Sequence, residues 1–105
     1  MRISSIVVFA LLATSAYAAG NPTDGKAVYD RACKNCHGAT GEGNPALAKM
    51  MKVEIPSLSS AQVQKMSDEE IKKVVTDGKG KMQPIRSVTG KSVDDVVAYV
   101  RTLKK

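Results

Sequence analysis

Apolar residues recur with a helical period over most of this chain, and polar, glycine-rich stretches interrupt them. Gly25, Val28, Tyr29 and Ala32 fall on one stripe, which predicts a first helix. Thr23 or Asp24 is expected to cap it after a loose arm over residues 19–23, and it should run on to about Gly38. Residues 46–53 are expected to make a short helical turn with Leu47, Met50 and Met51 inward. Ile55-Pro56-Ser57-Leu58 reads as extended, because a residue before proline is biased away from the α region. A weak helix or turn follows over residues 59–66, capped by Ser59 or Ser60.

The next helix has a clearer start. Ser67 with Glu70 three residues on is a capping box, and Asp68 and Glu69 suit the positive end of the helix dipole. Ile71, Val74 and Val75 make its buried stripe, Lys72 and Lys73 face water, and Gly78 offers a left-handed cap. The last helix is expected to open at Ser92, with Asp94 and Asp95 in its first turn. Val93, Val96, Val97, Val100 and Leu103 are spaced as one buried face, and Lys104-Lys105 follows at the negative dipole end. Valine is a middling helix former, so burial must hold this helix together.

Two segments lack the period. Residues 38–45 are a glycine-rich loop, whose backbone can pass close to a flat ring. Lys79-Gly80-Lys81-Met82-Gln83-Pro84-Ile85 is a coil. A lone Met is more often core filler than a ligand. A Gly- and Pro-punctuated loop between charged residues is a poor place for filler, which singles out Met82.

The N-terminus changes how the length is read. Arg2, an apolar run over residues 3–13 and Ala16-Tyr17-Ala18 form the pattern of a cleaved secretory signal. The run is too short for a membrane span of about 20 residues. Removing residues 1–18 from 105 leaves 87, a single domain over 19–105 with no transmembrane anchor. So small a domain has few apolar groups for its core. The whole chain holds three Tyr, one Phe and no Trp, and Phe9 and Tyr17 leave with the signal. Arg2 leaves too, so the remaining 15 Lys and Arg against 10 Asp and Glu give a net charge of about +5. Such a balance suits acidic partners or a solvated basic surface, while an exported chain without a nucleic-acid motif makes nucleic acid improbable.

The chemistry sits in Cys33-Lys34-Asn35-Cys36-His37. A Cys-x-x-Cys pair followed directly by His is the attachment signature of a c-type haem. Two thiols add across the two vinyl groups of the porphyrin, and the His brings its imidazole under the iron. A thioredoxin-like couple would need a strand before the motif's helix. Zinc would need further ligands, yet the chain has two Cys and one His in all. A structural disulfide would leave His37 without a role. A metal-bound His normally gives its second ring nitrogen to a carbonyl or carboxylate, and Pro45 is the candidate carbonyl. Leu58 is a candidate to pack against the ring.

With these residues in hand, the chain resembles a small bacterial class I c-type cytochrome over nearly all of residues 19–105. The resemblance rests on Cys33-Lys34-Asn35-Cys36-His37, on Met82 with Pro84 close behind, and on Val96-Val97-Ala98-Tyr99-Val100 in the final helix. In that family proline usually follows the ligand Met directly, whereas here Gln83 intervenes. The resemblance implies an all-α cytochrome c fold of about three to five helices around one covalent haem c. Its first and last helices would cross at Gly25, with Tyr29 and Tyr99 packed together. Cys33 and Cys36 would carry the thioethers, His37 would be the proximal iron ligand and Met82 the distal one. Met50, Met51 and Met66 are the alternative sulfur donors.

A His/Met pair is the electron-transfer arrangement. The expected role is therefore a monomeric periplasmic carrier of single electrons between a donor and an acceptor protein, not an enzyme. Lys34, Lys79, Lys81 and Arg86 are candidates to guide acidic docking surfaces. Two other roles stay open at this point. One is a five-coordinate haem protein acting as sensor, gas binder or peroxidase, and the other is a docking subunit of a larger oxidoreductase.

Overall fold

A computed structural model describes residues 20–105, so the proposed signal over 1–18 lies outside the described residues. Six helices and no strands occur among the described residues: α1 Pro22–Ala32, α2 Lys34–His37, α3 Pro45–Met51, α4 Ala61–Gln64, α5 Asp68–Asp77 and α6 Lys91–Thr102. The all-α expectation holds. Four of these helices run for seven residues or more, within the three to five expected, and α2 and α4 are single turns.

The first helix begins earlier than its stripe suggested. Asn21 is the N-cap, its side-chain oxygen accepting from the Thr23 and Asp24 amides, and Pro22 occupies the first turn. Asn44 and Pro45 repeat the arrangement at the start of α3, where Asn44 accepts from the Leu47 amide at 3.2 Å. Each Asn satisfies an orphan amide, and each Pro is pre-set at a helical φ where no N–H is needed. The capping box at Ser67 and Glu70 is present in both directions. Ser60 caps α4.

Helices α1 and α6 form the main packing contact, and α5 lies against α6. Their close approach depends on glycine. A Cβ at Gly25 would fall 1.9 Å from the Asp95 carbonyl oxygen, and one at Gly20 would fall 2.0 Å from that of Asp94. Tyr29 is fully buried at this crossing, and its ring centroid lies 5.0 Å from that of Tyr99 at a tilt of 55°, a favourable aromatic geometry. Val88, Val93 and Val96 pack in the same core cluster, while Val97 is fully buried on α6.

Two expectations about facing change, and a third residue faces inward that its sequence left unassigned. Asp95 turns inward, only 6% exposed, accepting from the Asn21 amide at 2.8 Å and from Lys91 at 2.9 Å. Lys72 does not simply face water, since its ammonium pairs with Asp94 at 2.5 Å and links α5 to α6. Met50, expected inward, is 72% exposed. Helix α3, only seven residues long, does not bury every apolar side chain it carries. Gly78 ends α5 with φ 79° but ψ 171°, so the chain leaves extended and not in the left-handed helical conformation.

Across the bottom of α6, Arg101 ties three segments together. It donates to Asp68 at 2.8 Å, to the Gln64 carbonyl at 3.0 Å and to the Met66 carbonyl at 2.6 Å. Gln64 donates in turn to the Leu58 and Val100 carbonyls.

Candidate functional site

Cys33 ends α1 and serves as the cap residue of α2, while Cys36 and His37 lie in α2 itself. One turn therefore carries all three. The His37 amide donates to the Cys33 carbonyl at 3.0 Å, and the Gly38 amide donates to that of Lys34 at 2.8 Å. Tyr29, one helical turn before Cys33, donates from its hydroxyl to the Gly38 carbonyl at 2.5 Å. The buried crossing thus reaches directly to the residue after His37. Burial holds the Tyr29 hydroxyl far above the ordinary tyrosine value, so it stays a donor.

The loop behind the turn is bound to it. Gly43 donates to the His37 carbonyl at 2.7 Å and Asn44 to the Cys36 carbonyl at 2.9 Å. Asn44 also donates from its side chain to the Asn35 carbonyl at 3.0 Å. Asn44 therefore caps α3 and clamps the Cys-x-x-Cys-His turn at once. The Asn-Pro pair was the signal for this, a strong N-cap followed by a first-turn proline.

Cys33 and Cys36 are both free thiols, the first half-buried and the second exposed. Burial, followed by the neighbouring Cys36, pushes the Cys33 thiol up to about 11. A redox or nucleophilic cysteine needs a lowered value, because the thiolate is the reactive form. This thiol does not fit a thioredoxin-type couple, and the two are not joined as a structural disulfide. Burial also holds His37 below the ordinary imidazole value, favouring the neutral form that ligates metal.

His37 Nδ1 is buried and has no hydrogen-bond partner among the described residues. Pro45, the expected carbonyl, instead opens α3, where a first-turn carbonyl serves the helix's own ladder. A buried polar atom left unpaired costs about 1–3 kcal/mol. The chain's own hydrogen bonds do not explain this ring. Leu58 is half-buried, packs against the core cluster and donates its amide to the Gly41 carbonyl at 2.8 Å. Leu47, Met51, Ile55, Met82 and Ile85 are likewise only half-buried. Free paired thiols, a neutral unpartnered imidazole and incompletely buried apolar side chains together fit a covalently held haem.

Met82 sits in a tight turn after α5. Lys79 and Met82 exchange both backbone hydrogen bonds, at 3.0 and 2.9 Å. Gly78 is required beneath it, since φ is 79° and a Cβ would lie 2.6 Å from the Met82 carbonyl oxygen and 3.0 Å from the Pro84 ring. Gln83 thus leaves the Met and Pro sharing one glycine floor. Ile85 donates to the Val75 carbonyl at 2.8 Å and packs against the same core cluster as Cys33. That shared core joins the base of the Met82 turn to the attachment turn. The sulfur alternatives differ in placement: Met50 is exposed, Met51 ends α3, and the Met66 carbonyl is held by Arg101.

Lys34, Lys79, Lys81 and Arg86 are all exposed. Lys81 also donates to the Met51 carbonyl at 2.6 Å, a contact between residues 30 apart that the sequence did not announce. A separate cleft of about 560 Å³, lined in part by Thr76, Asp77, Ile85 and Arg86, includes none of the four candidate ligand residues. No helix among the described residues is long and apolar enough to cross a membrane.

Known proteins add a consistent picture. Residues 20–100 match the family model described as cytochrome c oxidase, cbb3-type, subunit III. Cytochrome c-555 of Methylococcus capsulatus is 27% identical over 110 residues, covering 96% of this chain and 81% of that protein. The solved KustC0563 c-type cytochrome is 30% identical with a TM-score of 0.66, covering 78% of this chain and 99% of that one. Cytochrome c6 from the diatom Phaeodactylum tricornutum, at 22% identity and a TM-score of 0.61, covers 79% of this chain and 93% of its own and shares the fold.

Proposed function

Because the chain belongs to the c-type cytochromes, within the family matched over residues 20–100, we propose that it is an exported monohaem carrier of single electrons with His37 and Met82 as its iron ligands. The carrying observation is the Cys33–His37 turn, with two free thiols and a buried ring nitrogen that the chain does not use. Cys33 and Cys36 would hold haem c through thioethers, and the iron supplies reversible one-electron chemistry.

The chain's own residues do the rest. Tyr29 and Asn44 fix the turn that presents His37, and the Lys79–Met82 pair fixes the backbone that presents the thioether. With His37 and Met82 both given to the iron, no position would be left for an external ligand, which would separate a carrier from a five-coordinate sensor or peroxidase. The ferric spectrum of the haem-loaded protein should show a thioether–iron band in the far red, and Met82→Ala should turn it high-spin. A high-spin spectrum in the unaltered protein would overturn the ligand assignment. An intact mass equal to the bare polypeptide would overturn the thioethers.

Exposed Lys34, Lys79, Lys81 and Arg86 are proposed to guide acidic redox partners. Electrostatic steering sets mainly on-rates and weakens with salt. Electron transfer from a soluble donor should slow as ionic strength rises, and a flat dependence would remove the steering. The periplasmic assignment predicts a mature N-terminus at Ala19, so a retained Met1 would refute it. The family description, naming an oxidase subunit, favours one second reading: permanent residence in a larger oxidoreductase. That reading requires co-purification with a membrane complex, and recovery as a free monomer excludes it.

A further inference from the structure

We propose that Lys81 positions the Met82 turn by fastening it to the end of α3. The turn closes on itself through the Lys79–Met82 backbone pair, which sets its shape. That pair does not set where the turn lies. Gly80, at its tip, has φ 58°, and a Cβ there would meet nothing within 4 Å. Among the described residues, Lys81 makes the hydrogen bond that ties residues 79–84 to another part of the molecule, reaching the Met51 carbonyl at 2.6 Å.

Met51 is the right place for such a tie. The last carbonyls of a helix lack intrahelical partners and carry the negative end of its dipole. Lys52, in the left-handed conformation at φ 55°, turns its amide back to the Ala48 and Lys49 carbonyls, and Val53 also bonds to Ala48. The Met51 carbonyl is left for Lys81, and a cation satisfies both its lone pair and the dipole. Because Lys81 directly precedes Met82, releasing the tie frees the backbone that carries the thioether.

This role rests on Met82 being the distal ligand. A small external ligand can bind the iron only when the turn has opened, so its apparent affinity rises with the open fraction. Losing one hydrogen bond of ordinary net strength should raise that fraction roughly three- to tenfold. The test uses the haem-loaded mature protein, titrated with imidazole in the ferric state while the far-red band is followed. Lys81→Gln should bind imidazole roughly three- to tenfold more tightly than the unaltered protein. Lys81→Arg, which keeps a charged donor, should stay close to the unaltered protein. Lys26→Gln, removing a lysine paired with Asp30 on the exposed face of α1, should change nothing.

The global unfolding free energy of Lys81→Gln, read by far-ultraviolet dichroism, should fall by no more than the opening free energy does, because both are measured from the closed turn. Unchanged imidazole binding in Lys81→Gln overturns the proposal. So does a loss of global stability well beyond the change in opening, and an arginine that fails to restore the original affinity counts against it too. Absence of the far-red band in the unaltered protein, or its survival in Met82→Ala, defeats the ligand assignment and the Lys81 role together.

Discussion

At the crossing of α1 and α6, a single methyl group on Gly25 would fall 1.9 Å from backbone, whereas at the tip of the Met82 turn a methyl on Gly80 would meet nothing within 4 Å. The crossing is fixed by contact: Tyr29 and Val97 are fully buried, Val96 is nearly so, and Asp95 binds the amide of Asn21. The turn is fixed by a short backbone pair and one lysine. One region is determined by the chain's own packing. The other has its backbone shape from the chain and is left half-buried at Met82. The packed crossing reaches the residue after His37 through Tyr29, and the turn with fewer ties is the one that would carry the proposed Met82 ligand.

The sharpest way to break this contrast is Gly25→Val. Its side chain cannot be placed without parting two backbones, so unfolding of the haem-loaded protein by denaturant should lose about 3 kcal/mol or more. A loss near zero would mean that the crossing is not packed as described. Tyr29→Phe keeps the ring but removes the hydroxyl donor, leaving the Gly38 carbonyl with only the Gly41 amide at 3.4 Å. It should cost about 1–2 kcal/mol, and the far-red band should weaken if the turn's position governs the ligands.

Asp95→Asn should have a smaller effect, and pH should modulate it. The Asn21 amide, and then Lys91, hold the Asp95 carboxyl below the usual carboxylate range. A depressed folded value gives stability that is present above the unfolded value, about 3.9, and is lost as pH falls through the folded one. The variant should therefore trail the original protein at neutral pH and converge with it in strong acid. Equal offsets at pH 7 and pH 2 would rule out this linkage. The smallest effect is expected at Met50, already 72% exposed. Met50→Gln should stay within about 0.5 kcal/mol and leave the far-red band intact, and loss of the band would move the ligand assignment from Met82 to Met50.

Local signals in the chain were the easiest to read. The Ser67–Glu70 capping box and the α6 valine stripe appear where their spacing placed them, and the Gly25, Tyr29 and Tyr99 crossing where the family resemblance placed it. Asn21 and Asn44 were equally local but went unread, because the loop character of Asn-Pro masked its capping role. Lys72, Lys81, Asp95 and Arg101 were illegible for a different reason. A charged residue on a helix or loop is assigned to water unless something else comes near it, and each of these four has a partner more than 20 positions away in the chain.

Alone, the order of residues determined the attachment motif, the apolar faces and most helix ends, since each depends on neighbours within about one or two helical turns. It also implied a core too small without a covalent group. Tertiary structure decided which carbonyls Arg101 and Lys81 would reach, that Asp95 would turn inward, and that Met50 would be left outside. Those outcomes depend on which faces meet, and a helix knows its own stripe but not the angle at which another will cross it.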